Sequence, residues 1–404
     1  MPKFTALDLF TMRQLLPISF LINCLTLLNS LAQTTQLNGV VMDSTTRRPI
    51  SGAEVFVGHT TLRTTSNRQG HFTMAQVPLG TVDLIVESSG HRPGWLTTRR
   101  TSDSLARPDT VWLRPVHRQP LGQSPKGYPS ATPKQNRELT RGLTMFLDRF
   151  VGTSERARAC RVVNPWVLDV QLTKQDKKEF LRVTASEVLG IENPELGYVL
   201  HCYIDKFEVR DQVARFWGAV GFAEMTPKNP EQATEWQAKR ALAYGGSLTH
   251  FLHALAAGKA DPEGFFVYPV PEQYSYFYSA RIPNKEKPLA TAGLVDTTAF
   301  AFEKKLKPGR PGHPYLQANY DLEPEEVLFR RFAKNMTNRI ELESKFQPSW
   351  LRLPSPEGFL VFNTAGWLCH PHQVDVLGYW EFEAWGDRVP ANYVPPKTKK
   401  ITGK

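Results

Sequence analysis

Residues 37–91 read LNGVVMDSTTRRPISGAEVFVGHTTLRTTSNRQGHFTMAQVPLGTVDLIVESSGH, and they decide the architecture at the front of this chain. Gly39-Val40-Val41-Met42-Asp43 is a strand running into a turn, and Thr45 to Pro49 is polar and ends in proline. Ile50-Ser51-Gly52-Ala53 then leads into the β-prone Glu54-Val55-Phe56-Val57. Leu62 to Thr65 precedes Ser66-Asn67-Arg68-Gln69-Gly70, a turn whose glycine can take positive φ, and His71-Phe72-Thr73-Met74 follows. Val77-Pro78-Leu79-Gly80 turns the chain into Val82-Asp83-Leu84-Ile85-Val86, and Ser89-Gly90-His91 closes the unit. Val111-Trp112-Leu113 supplies a last strand. Short strands with turn signals about every 10 residues predict an all-β sandwich.

Gly39 to Asp43, Pro49 with Gly52-Ala53-Glu54-Val55, Asn67 with Gly70 and Phe72, Pro78 with Gly80, and Gly90-His91 together resemble the carboxypeptidase-like regulatory domain. The resemblance implies a transthyretin-like fold and an accessory module at the front of an exported bacterial envelope protein, with no reaction of its own. It covers roughly 80 of the 404 residues and departs from the family pattern at His91, where an aromatic usually follows the last glycine. The fold class expected for the whole chain is multidomain: an N-terminal all-β sandwich followed by a larger α+β region.

Upstream, Arg13 stands before an apolar run from Leu15 to Leu28, and Ser30-Leu31-Ala32 gives small residues at the spacing a signal peptidase accepts. Residues 1–32 are therefore expected to be a signal peptide cut before Gln33, with Met1 or Met12 as the start. About 14 apolar residues interrupted by Pro17 and Asn23 fall short of the roughly 20 that a spanning helix needs. Cys24 lies inside the apolar run rather than at its end, which argues against a lipoprotein site. Removing Cys24 from the 4 cysteines leaves Cys160, Cys202 and Cys369, widely separated and odd in number, so buried thiols are expected rather than a disulfide framework.

The composition, 41% hydrophobic and 22% charged with 31 Pro and 27 Gly, suits a folded, turn-rich β protein. A net charge of +10 comes from 49 basic and 39 acidic residues, with small clusters at Arg99-Arg100, Lys304-Lys305 and Arg330-Arg331 and a tail at 396–404 carrying Lys397, Lys399, Lys400 and Lys404. A nucleic-acid binder would gather such charge on one face with stacking aromatics between, and most of these runs lie beside Pro or Gly. The expected partners are envelope proteins or anionic envelope polymers, with peripheral membrane contact compatible and nucleic acid excluded. The expected location is the periplasm or the outer membrane.

The expected domains are the sandwich at 33–117, a Pro-rich linker at 118–140 and an α+β region at 141–395. Leu143, Phe146, Leu147 and Phe150 recur at helical spacing, and Gly152-Thr153-Ser154 ends that helix and caps another through Cys160. Strands are expected at 167–172, 180–185, 198–209, 213–225, 265–270, 359–362 and 378–385. Helices are expected at 231–243, at 247–257 and near 324–333.

Catalytic motifs are absent. None of the ten His has a Glu three residues on, His372 has only the shorter Asp375 there, and neither His-Glu-x-x-His nor Gly-x-Ser-x-Gly occurs. No catalytic residue, metal ligand or cofactor is expected, and an envelope hydrolase on glycans or peptides, with a site scattered through 141–395, is the alternative. The candidate binding residues are Trp236, Arg240 and Tyr244, four apart on one helical face, with Gly246 and Ser247 at the start of the next helix. Such a helix N-terminus could cradle a phosphate or carboxylate; the competing possibility is a tight helix–helix corner in which Arg240 stacks on Trp236 and Ser247 only caps. His250 with His253, the cluster Cys369-His370-Pro371-His372, and the aromatics Tyr274, Tyr276, Phe277, Tyr278, Trp367, Tyr379, Trp380 and Trp385 were weaker candidates for metal or glycan contact.

Overall fold

Leu37, Gly39 and Val41 alternate inward along β1 (Thr34–Asp43), and period-two burial of this kind organises the first layer. The structure, a computed structural model, describes residues 34–101, 108–115, 133–175, 178–210, 213–270, 288–290, 295–300, 303–306, 315–320, 347–353, 359–369 and 374–396. Outside these lie the leader expected at 1–32, most of the 118–140 stretch, Tyr274 to Tyr278, the helix expected near 324–333, His370, His372 and the lysines of the tail.

The strands β2 (Glu54–Val57), β3 (Arg63–Thr65), β4 (His71–Pro78), β5 (Gly80–Glu87), β6 (Gly94–Arg100) and β7 (Asp109–Leu113) complete a sandwich with β1. One sheet has the order β4-β1-β7, with β1 antiparallel to β4 and parallel to β7; the other runs β3-β2-β5-β6, antiparallel throughout. Leu37, Val41, Val55, Val57, Phe72, Met74, Val82, Leu84, Val86, Val111 and Leu113 fill the space between them. The Asn67–Gly70 turn works as its residues require. Asn67 Oδ1 accepts from Gln69 N at 2.9 Å and His71 N at 3.0 Å, and Gly70 takes φ +75. The strand β6 is not apparent in the sequence because its side chains are mostly half-buried and carry no apolar alternation.

A long helix, α1 (Pro133–Phe150), begins inside the stretch read as linker. Proline at the first helical position has no orphaned N–H and a φ already suited to a helix, so the polar start at Pro133 is compatible with helix. A short α2 (Glu155–Ala159) follows, capped by Ser154, whose Oγ accepts from Ala157 N at 3.0 Å. A third sheet, of six strands, contains β8 (Arg161–Val162), β9 (Leu168–Gln175), β10 (Lys178–Ala185), β11 (Leu189–Asn193), β12 (Tyr198–Arg210) and β13 (Val213–Glu224). β13 runs along the length of β12, while β11 and β10 share its other edge end to end, pairing Tyr198–Cys202 and Phe207–Arg210 respectively. The register of β12 against β13 shifts between Ile204 and Lys206, a bulge at the point where the partner changes. Phe146 and Phe150 of α1 pack against Phe207 with centroids 5.2 and 5.8 Å apart, both edge to face.

Two helices, α3 (Pro230–Tyr244) and α4 (Leu248–Ala256), meet at Gly245-Gly246-Ser247, close to the expected limits. Beyond them β14 (Phe265–Val270), β17 (Tyr315–Tyr320), β18 (Gln347–Arg352) and β20 (Asp375–Gly378) form one sheet, and β15 (Val295–Phe300), β16 (Glu303–Leu306) and β19 (Leu360–Asn363) form another. The strand expected at 378–385 is instead a single helical turn, α5 (Tyr379–Phe382). Gly378 adopts φ +73, which ends the strand, and Trp380 anchors inward by donating from Nε1 to Gly246 O at 2.8 Å.

The sandwich is built into the rest. Thr34–Lys404 clusters as one compact unit. The turn after β2 reaches over the edge of β13: His59 N donates to Val220 O at 2.6 Å and Phe222 N to Thr60 O at 2.8 Å. The C-terminal segment closes on the same turn, with Ala391 N donating to His59 O at 2.6 Å and Thr61 N to Asn392 Oδ1 at 3.0 Å. Phe56 and Ile85 form an apolar seam with Ala219, and Gly221 is bare where the Phe56 ring lies against it, since a Cβ there would overlap the ring. Trp95 meets Tyr203 edge to face at 5.9 Å, and Thr81 donates through both N and Oγ1 to Glu303. The N-terminal module and the α+β region thus share one hydrogen-bonded and apolar interface.

Candidate functional site

The residues nominated at the α3–α4 corner are brought together, and their polar atoms are engaged within the chain. Trp236 Nε1 donates to Pro194 O at 2.8 Å. Arg240 donates from Nε to Leu196 O at 2.7 Å, from Nη2 to Gly197 O at 3.0 Å and from Nη1 to Glu224 Oε1 at 3.3 Å. Its Cζ lies 3.9 Å from the ring centroid of Tyr198, so the cation stacks on that tyrosine and not on Trp236. The guanidinium therefore clamps the turn between β11 and β12. A cleft of about 350 Å³ lies beside it, bounded by Thr61, Tyr198, Glu224, Asn392 and Tyr393.

Gly246 takes φ +72, its N–H donates to His250 Nδ1 at 3.1 Å, and Ser247 Oγ accepts from His250 N at 3.0 Å. The helix N-terminus read as an anion cradle already faces a carboxylate of its own chain: Leu248 N donates to Glu383 Oε2 at 3.4 Å. Tyr244 OH pairs with His253 Nδ1 at 3.1 Å, and His253 Nε2 lies 2.7 Å from Ala391 O. That geometry fixes one neutral tautomer, Nε2–H donating to the carbonyl and Nδ1 accepting from the phenol. His250 Nε2 meets Glu263 at 3.0 Å. Burial pushes His253 down to about 4, and it lowers His250 as well, against the pull of Glu263.

Among the described residues, Glu54, Glu87 and His201 bring one potential ligand atom each within 4.8 Å of one another at the margin of the Phe56 seam. Arg63 already pairs with Glu54, and His201 Nδ1 stands 3.5 Å from Glu87, which suits an ion-pair network across the interface. Tyr379 and Trp380 are buried in a core with Phe251, Phe265 and Leu316, and Cys160, Cys202 and Cys369 are free thiols.

A cavity of about 360 Å³ opens where the sandwich, the six-stranded sheet and the C-terminal segment meet, and sequence inspection gave no sign of it. Its walls come from the β2–β3 turn, the ends of α1 and β13, the start of α4, β20 and residues 381–391. Phe150, Phe216, Phe222, Leu252 and Trp385 supply apolar surface, and His59, Arg149, Arg352, Glu381 and Arg388 bring polar groups. His59 sits at φ +65, uncommon for a residue with a Cβ, and its ring stacks on Trp385 at 5.2 Å with an interplanar angle of 11°. Burial drives its imidazole down to about 4, so it is neutral at pH 7; Asp83 pulls upward and Arg388 adds to the fall. Glu381 is raised by burial, with Arg149 opposing. Arg388 donates from Nε to Glu383 O at 2.6 Å and lies over the Trp385 ring at 4.7 Å. No short motif could reveal this site, because His59, Phe150, Phe216 and Arg388 come from separate elements.

Residues 36–106 match the carboxypeptidase regulatory-like domain. The match covers the sandwich through β6 and confirms the resemblance carried by the glycines and prolines of 39–91. No curated protein matches the chain. Among solved structures, similarity is found to a type II cohesin–X-dockerin complex of Acetivibrio cellulolyticus (22% identity over 20% of this chain and 58% of that one, TM-score 0.16). It is also found to a putative membrane-associated protein of unknown function from Bacteroides fragilis (16% identity, 43% and 65%, TM-score 0.15) and to a 9R-lipoxygenase from Cyanothece (13% identity, 56% and 48%, TM-score 0.15). The chain spans less than two thirds of each, and at these scores the likenesses carry no argument.

Proposed function

We propose that this protein is an exported, envelope-associated binding protein of the periplasm or outer membrane, in which the regulatory-like sandwich forms one wall of a small-molecule site. The observation that carries this is the cavity itself. Its volume, about 360 Å³, falls in the range of ligand pockets, and it combines aromatic walls with a few convergent polar groups at a junction of structural layers. The leader-like run at 15–28 and the regulatory-like domain support export.

Hydrolysis is less well supported. A two-carboxylate centre needs an acid and a base facing the same substrate, whereas Asp83 accepts from Thr97 at 2.6 Å, Glu383 faces the Leu248 N–H and Asp375 pairs with Arg352 at 3.6 Å. The test is native mass spectrometry on protein recovered from the envelope fraction of its own cells. A stoichiometric small-molecule adduct, lost on unfolding, is expected on a chain beginning at Gln33. A bare mass in every preparation, or recovery from the cytosol with the leader attached, would overturn the proposal.

A further inference from the structure

Arg388 is half-buried, charged and incompletely bonded. Its Nε is engaged by Glu383 O, yet among the described residues nothing accepts from its two terminal nitrogens, which belong to the cavity wall. A guanidinium stays protonated in proteins, and the carboxylates of Glu383 and Asp387 favour its charge from nearby without bonding its terminal nitrogens. Each of them has an oxygen directed at another group. Asp387 accepts from Ser154 Oγ and Arg156 Nε, and Glu383 Oε2 faces Leu248 N. Of the other charges lining the cavity, Arg352 pairs with Asp375 and Glu381 lies in the field of Arg149, while Arg215 stands on β13. Arg388 thus presents a planar two-donor edge, the shape that binds a carboxylate with two parallel hydrogen bonds. Behind it Trp385 stacks with His59, and Phe150, Phe216 and Leu252 leave apolar space too large for a head group alone.

From this geometry we infer that the cavity takes an organic monocarboxylate with an apolar body, its carboxylate held by Arg388 and its body against Trp385 and the phenylalanines. The inference rests on the binding role proposed above and names its ligand class. His59, neutral at pH 7, adds no cation of its own beside Arg388.

Isothermal titration calorimetry of the whole protein with octanoate, 1-octanol and octylamine tests it. Octanoate is expected to bind about 10- to 100-fold more tightly than octanol, octylamine more weakly still, and Arg388→Met is expected to erase the preference for the acid. Octanol binding as well as octanoate would leave the cavity a binding site and overturn the carboxylate assignment, as would preference for octylamine. Failure of all three probes, alongside a bare mass in native spectrometry, would remove the binding role itself. Should Arg388→Met not fold, the comparison of the three probes on the unaltered protein still decides.

Discussion

Lowering the pH from 7 to 4 is expected to remove about 6 kcal/mol of folding stability through two imidazoles alone. His59 and His253 are each pushed from 6.5 to about 4, mainly by burial. In the folded protein they remain neutral through this interval, whereas in the unfolded chain they take up protons below 6.5. The unfolded state therefore binds more protons between pH 6.5 and about 4, and stability falls as pH falls. It is fully present above 6.5 and the loss is complete below about 4. Each shift amounts to about 3 kcal/mol, and the downward shift of His250 works in the same direction. Asp43, held at about 2 by the Thr46 N–H and by His91, opens its own loss only below pH 4. Urea unfolding measured at half-unit intervals should give a slope approaching two protons across this window. His59→Asn and His253→Gln should each remove about one of them, and a flat profile would contradict the burial of these rings.

Replacing Arg240 with Met is expected to destabilise the protein by about 3 kcal/mol. Two buried carbonyls, Leu196 O and Gly197 O, lose charge-assisted donors, and the stacking on Tyr198 is lost with them. Lysine is a point donor and cannot reach both carbonyls in the geometry of the fork, so Arg240→Lys should recover little of the loss. Thermal and denaturant unfolding measure the effect. Unchanged stability with altered ligand binding would instead assign Arg240 to recognition, as its helical position beside Gly246 and Ser247 first suggested.

How far the sequence could go is clear from particular residues. The Asn67–Gly70 turn, the strand from Gly39 to Asp43, and the Ser154 and Ser247 caps depend on neighbours a few positions away, and all were legible. Pro133 looked like linker because proline and polar residues also suit a helix start, and Gly378 to Trp385 looked like strand because aromatic density masks a glycine at positive φ. The corner residues do lie together, but the carbonyls that occupy Arg240 and the Glu383 carboxylate facing α4 lie on distant parts of the chain. The cavity was illegible for the same reason. It exists because the turn at His59 crosses β13 and is closed over by residues 381–391, and no periodicity encodes that meeting.

The account depends most on the sandwich and the α+β region being one cooperative body whose junction forms the cavity. Differential scanning calorimetry of the protein tests this directly. A single transition whose calorimetric and van't Hoff enthalpies agree, and which Gly221→Val lowers as a whole by forcing the Phe56 ring away, is the predicted result. Two separable transitions, with only one of them shifted by Gly221→Val, would contradict it.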